Sequence, residues 1–161
     1  MVKAQEPVCD DPVDPGTGVP PPARRRTPRS GQGAVVGAVA LGGALGACAR
    51  YGATLLWPTP DGGFPWTTLV VNSAGCAVIG VFMVIITEVW AAHRLVRPFF
   101  GTGVLGGFTT FSTYAVEIQR LVADGRARAG LAYLALTLVA ALVSVTLAAT
   151  VTRRLVERRQ K

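Results

Sequence analysis

G-G-F-T-T-F-S-T-Y, from Gly106 to Tyr114, sets two adjacent glycines and four hydroxyl side chains inside a stretch whose flanks are apolar enough to lie in a membrane. Thr109, Thr110, Ser112 and Thr113 are compact hydrogen-bond donors, and the segment offers no carboxylate until Glu117. Helix-breaking backbone at membrane depth is tolerated only where it is buried in protein or lines a cavity. The stretch therefore predicts a broken helix, with the break near Gly106 to Thr110 and with Gly101 and Gly103 loosening the turns before it. Such a break frees carbonyl oxygens, which suit a cation, and amide donors at the start of the second half-helix, which suit an anion. Phe111 and Tyr114, three residues apart, project from one face of the resumed helix, and their ring edges carry partial positive charge. No lysine or arginine lies between Thr102 and Gln119, so the lining is one of neutral donors. Weak and multiple contacts of this kind are what conduction of an anion requires.

Outward from that stretch, the apolar residues come in blocks rather than alternating, and half of the 161 residues are apolar. A bilayer core needs roughly 20 mostly apolar residues per helix. Four stretches qualify: Gly33 to Trp57, Trp66 to Thr87, Pro98 to Val122 and Ala129 to Val151. The expected fold is an all-α integral membrane domain over 33–152, with the third of four transmembrane helices broken. Residues 1–32, with Pro20, Pro21 and Pro22 before Arg24, Arg25, Arg26 and Arg29, read as a disordered tail, and Arg153 to Lys161 as a basic C-terminal tail. The first tail either is simply solvated or binds a partner domain. The second fits anionic lipid headgroups.

The net charge of +7 follows topology rather than nucleic acid, because the basic residues sit in tails and short loops. With the N-terminus inside, twelve Lys/Arg fall on the cytoplasmic side and only Arg120, Arg126 and Arg128 on the other, Arg50 lying near a helix end. Both termini are thus expected in the cytoplasm, in the cell membrane.

Several single residues carry chemistry. Asn72 lies about two turns into the second span, and an amide cannot stay unpaired in hydrocarbon, so it either ties helices together or donates toward an ion. Arg50, at the end of the first span, is either an interfacial anchor or an attractor for anions. Thr137 and Ser144, seven apart with Ala141 between, form one stripe on the fourth span. Gly37, Gly42, Gly43 and Gly46 give the first span a small-residue surface for close helix packing. Cys9, Cys48 and Cys76 lack metal or redox spacing, His93 stands alone, and no set of nucleophile, base and orienting group is visible, so no enzyme is expected.

Three motifs in order, G-G-A-L-G-A-C-A-R-Y (Gly42 to Tyr51), T-L-V-V-N-S-A-G (Thr68 to Gly75) and G-V-L-G-G-F-T-T-F-S-T-Y (Gly103 to Tyr114), resemble the CrcB/Fluc family of small fluoride channels over Gly33 to Val151. The resemblance implies an antiparallel dimer of four-helix subunits with two anion pores and a central structural sodium ion (Na+). It assigns the sodium to backbone carbonyls of Gly106 and Thr109 from each subunit. The pore residues it carries over are Asn72, Phe111, Ser112, Thr113 and Tyr114, with Thr110 beside them and Thr137 and Ser144 as the fourth-helix track. The family usually has phenylalanine where Tyr114 stands. The implied function is passive export of cytoplasmic fluoride, giving fluoride resistance. The charge bias adds an expectation of its own: of the two arrangements, a homodimer or a pair with a paralogue inserted the other way up, it favours the paralogue. A non-transporting membrane scaffold is the alternative, which leaves the hydroxyl cluster without a use. A proton-coupled multidrug exporter would need an acid in the first span, and Gly33 to Ala49 has none.

Overall fold

The computed structural model describes residues 32–60, 62–89 and 93–159; the expected N-terminal tail, with Cys9 and its proline and arginine runs, lies outside them. Among the described residues every regular element is helical. Helix α1 is Gln32–Leu56, and α2 is Trp66–Val84, continued by a π-helical turn at Ile85–Val89. A π-helical segment, Arg97–Val104, runs into the short α3 (Leu105–Phe108), followed by α4 (Ser112–Ala123) and α5 (Ala127–Arg159).

Gln32–Leu56, Trp66–Val89 and Ala127–Arg158 are each long and apolar enough to cross a membrane. Their outward faces are apolar and uncovered, with Leu41, Leu45 and Leu55 on α1 and Leu138, Leu142 and Leu147 on α5 all exposed. Such a surface is costly in water and ordinary in lipid, and the chain is a multi-pass integral membrane protein. The stretch expected as the third span is in two pieces. The final helix also runs on through the basic residues to Arg159, where the sequence suggested a separate tail. At 1.5 Å per residue it is about 50 Å long, well beyond a hydrocarbon core of about 30 Å.

Glycines set which helices touch. A Cβ at Gly42 would run into the Phe99 carbonyl, one at Gly46 into the Val104 carbonyl and the Phe108 amide, and one at Gly107 into the Gly43 carbonyl. The first half of the broken helix therefore lies backbone to backbone on α1, as the small-residue surface predicted. Gly37 and Gly106 take no part, since a Cβ at either would meet open space.

The partners in each contact also fix direction. Gly42 faces Phe99 to Val104, Gly46 faces Val104 to Phe108, and Arg50 reaches Gly107, so α1 and the helix before the break run parallel. On α2, Phe64 and Thr68 lie level with Tyr133 and Gly80 lies against Val145 to Ala149, so α2 and α5 also run parallel. Short turns reverse the chain between α1 and α2 and between α4 and α5. In the second, Gly125 takes a left-handed φ of 73° that a side chain would resist. Arg126 donates to the Gly62 carbonyl at the loop end, while Arg153 pairs with Glu88 at 2.8 Å at the other. Gln32 and Arg159 consequently lie at the same end of the bundle.

Candidate functional site

The break falls at Thr109 to Phe111, slightly later than the sequence suggested, because Gly106 and Gly107 remain helical and Gly107 is packed on the Gly43 backbone of α1. Thr109 leaves the helix with φ −79° and ψ 157°, and α4 starts at Ser112. What holds the chain open is Asn72. Its Oδ1 accepts from the Thr110 N–H at 2.8 Å and its Nδ2 donates to the Thr110 carbonyl at 2.9 Å. Both backbone polar groups of Thr110 are satisfied by one buried side chain, which removes the penalty for irregular backbone at this depth.

Two carbonyls lose their usual partners as a result. In an unbroken helix the Thr110 amide would close on Gly106 and the Thr113 amide on Thr109. Here the first is taken by Asn72, and the second donates to Thr110 Oγ1 at 3.1 Å. Thr110 Oγ1 thus caps α4, in the manner of a side-chain oxygen accepting from an amide of the first turn. The same oxygen donates to Thr113 Oγ1 at 3.0 Å and lies 3.4 Å from Ser112 Oγ. Three hydroxyls, from Thr110, Ser112 and Thr113, are gathered at the start of the second half-helix. Thr109 Oγ1 instead folds back onto the Leu105 carbonyl at 2.8 Å.

Phe111 stands out from the break, 80% exposed, with its ring centre 5.8 Å from that of Tyr114. The Tyr114 hydroxyl donates to the Leu134 carbonyl at 3.2 Å, so the group that distinguishes it from phenylalanine is already engaged on α5. Tyr114 then stacks toward Tyr133 at 5.3 Å, and Tyr133 meets Phe64 edge-on at 5.4 Å, giving an aromatic ladder from the break to the loop end. Arg50 turns onto the broken helix. Its Nε donates to the Gly107 carbonyl at 3.2 Å, placing positive charge at the C-terminal end of α3, where the helix dipole favours it.

Below the break lies a polar knot that the sequence reading did not assign. The Glu117 carboxylate accepts from Thr68 Oγ1 and from the Tyr133 hydroxyl, each at 2.7 Å, and so ties α4 to α2 and α5 at one level. Tyr133 is fully buried. One signal was available: Glu117 is the lone acid between Glu88 and Asp124, and an acid inside an apolar span needs named partners. Glu117 also lines a cavity of about 370 Å³ that opens at the loop end beside Arg120 and Thr59. On α5, Thr137 is buried with no partner for Oγ1, and Ser144 is half-buried two turns further on. The break, Asn72 and Tyr114 are joined by direct contacts, whereas Thr137 and Ser144 lie further along α5.

A family model described as "CrcB-like protein, Camphor Resistance (CrcB)" matches residues 37–149. The chain is 70% identical over 125 residues to "Fluoride-specific ion channel FluC 2" of Streptomyces avermitilis, covering 78% of this chain and 79% of that one. It is 66% identical over 150 residues to "Fluoride-specific ion channel FluC 1" of Streptomyces coelicolor, covering 91% and 97%. A second S. avermitilis protein, "Fluoride-specific ion channel FluC 3", is 50% identical over 91 residues, covering 56% of this chain and 45% of its own length. The glycine seam on α1, Asn72, the broken helix and the Glu117 knot all fall within the matched residues, and the chain belongs to the CrcB family.

Proposed function

We propose that this chain is one half of a fluoride-selective channel in the cell membrane, through which cytoplasmic fluoride leaves passively down its electrochemical gradient, giving fluoride resistance. The observation that carries this reading is the break at Thr109 to Phe111, splinted by Asn72 and faced by uncharged donors, in a chain 66% identical to a protein named as a fluoride channel along nearly its whole length. Fluoride is small, holds water tightly and accepts strong hydrogen bonds, so a route must replace that water with compact donors. Ser112, Thr113 and the orphan hydroxyl of Thr137 are of that type, and the ring edges of Phe111 and Tyr114 add weaker positive contacts. Asn72 acts by holding Thr110, whose hydroxyl organises the cluster. Relatives that carry the name of a channel leave no place for an enzymatic reading.

The working unit is an antiparallel dimer of four-membrane-crossing subunits. Phe111, 80% exposed beside the hydroxyl cluster, lies on the face that a second copy or paralogue would cover. The bias of Lys/Arg toward the end that holds both termini favours a cytoplasmic location for them. A fixed orientation in turn favours a partner inserted the other way up, and S. avermitilis having two distinct numbered channels is consistent with such pairing. The Gly106 and Thr109 carbonyls of each subunit would hold a structural sodium ion at the centre. The residues fit it: both carbonyls have lost their in-helix donors, and a Cβ at Gly106 would meet open space.

Purified protein in liposomes loaded with fluoride, read by a fluoride electrode, tests the proposal. Release of the loaded ion is expected, and inert vesicles containing folded dimer favour the scaffold reading instead. Accessibility tags on both termini test the partner: one orientation is expected, while equal numbers of copies on each side remove the need for a paralogue.

A further inference from the structure

Along α5 the first charge is Arg128 and the next is Arg153. The uncharged run between them, Ala129 to Thr152, is about 36 Å long at 1.5 Å per residue, a little more than a hydrocarbon core of about 30 Å. Arg153 therefore stands at headgroup level, and the helix continues past it to Arg159. Because these basic residues form turns of a helix rather than a loose tail, their spacing decides which of them share a side.

Arg153 turns inward, its Nε donating to Glu88 Oε1 at 2.8 Å at the end of the second span. Arg154 and Arg158 do not. Both are exposed, and neither has an ion-pair partner among the described residues. Four residues apart, they lie one turn from each other on the same side of α5. That side continues into the membrane as an apolar stripe of Leu147, Val151 and Leu155, each more than half exposed. Arg154 is seven residues beyond Leu147, and Arg158 is seven beyond Val151. Next to the stripe, a groove of about 310 Å³ along α5 is lined by Thr146, Ala149 and Thr150 and closed by Arg153, Arg154 and Glu157. Thr146 and Thr150 donate to carbonyls of their own helix, so the groove offers no free hydroxyl. Arg94, Arg97, Arg153, Arg154 and Arg158 outweigh Glu88 and Glu157, which leaves this end of the bundle positive.

We propose that Arg154 and Arg158 hold the phosphate of an anionic phospholipid whose acyl chains lie along Leu147, Val151 and the adjoining groove. Charge selects the headgroup, and the exposed apolar stripe beside it selects a lipid over a free anion, which would make no use of that stripe. The inference rests on the membrane-embedded fold and not on the channel reading. Full-length protein in mixed micelles of phosphatidylglycerol and phosphatidylcholine, with retained lipid read by native mass spectrometry, tests it. The wild type is expected to keep phosphatidylglycerol in preference. A basic residue near an anionic lipid surface contributes about fivefold in affinity, so Arg154→Gln/Arg158→Gln is expected to weaken that retention about thirtyfold, while Arg154→Lys/Arg158→Lys keeps most of it. Arg120→Gln/Arg128→Gln removes the same charge at the opposite end and is expected to change nothing. Equal retention of the two lipids by the wild type overturns the assignment, as does wild-type retention by Arg154→Gln/Arg158→Gln. Equal loss in Arg120→Gln/Arg128→Gln overturns it too, since it marks diffuse charge. Displacement of the lipid by inorganic phosphate at matching concentration marks a plain anion site and overturns the choice of a lipid.

Discussion

Asn72→Ala removes both hydrogen bonds that satisfy Thr110, at 2.8 and 2.9 Å, and leaves an amide and a carbonyl without partners in the interior of a membrane protein. Each unpaired group costs about 1–3 kcal/mol, so the variant is expected to lose about 2–6 kcal/mol. That is a large share of a stability of about 5–15 kcal/mol. The expected response is a regain of helix at Thr109 to Phe111, with the Thr110 amide closing on Gly106 and the hydroxyl cluster scattered. Two measurements on one preparation check it: thermal unfolding in detergent and fluoride release from liposomes. Both should fall together, because the proposed pathway is built on the splinted break. Asn72→Asp keeps the acceptor for the Thr110 amide but sets an oxygen against the Thr110 carbonyl, and should also lose flux. Reduced flux with wild-type thermal stability would show that Asn72 serves the ion directly rather than through Thr110, and wild-type behaviour in both assays would refute the reasoning.

Three further outcomes follow from individual contacts. Gly46→Ala places a methyl against the Val104 carbonyl and the Phe108 amide, backbone that cannot swing away, and should cost about 1–3 kcal/mol and prise α1 from the broken helix, read as a lower unfolding temperature. Gly33→Ala, which meets nothing within 4 Å, is the matched control and should be neutral. Tyr133→Phe leaves one Glu117 oxygen unpartnered and should destabilise by about 1–3 kcal/mol, more than Tyr114→Phe, whose lost bond is a single half-exposed contact to Leu134. Tyr114→Phe should release fluoride at close to the wild-type rate, because the hydroxyl it loses is already engaged by the Leu134 carbonyl.

The sequence by itself determined that the chain is helical, membrane-embedded and interrupted at one place. Those properties are local: apolar runs of bilayer length are read directly from the chain, and the glycines, threonines and aromatics from Gly101 to Tyr114 are contiguous. Asn72 was legible as a polar residue in need of a partner, but not which partner, since the choice between an ion and a backbone depends on what another helix brings beside it. The tertiary structure decided that the break lies at Thr110 and not at the glycines, because Gly107 is spent on contact with Gly43 while Asn72 captures Thr110 from 38 residues away. It alone paired Glu117 with Thr68 and Tyr133, joining three helices through bonds that no local spacing encodes. Apolar length is sensed by the membrane one segment at a time, whereas satisfaction of a buried polar group is a property of the register between helices, and register exists only once they are packed.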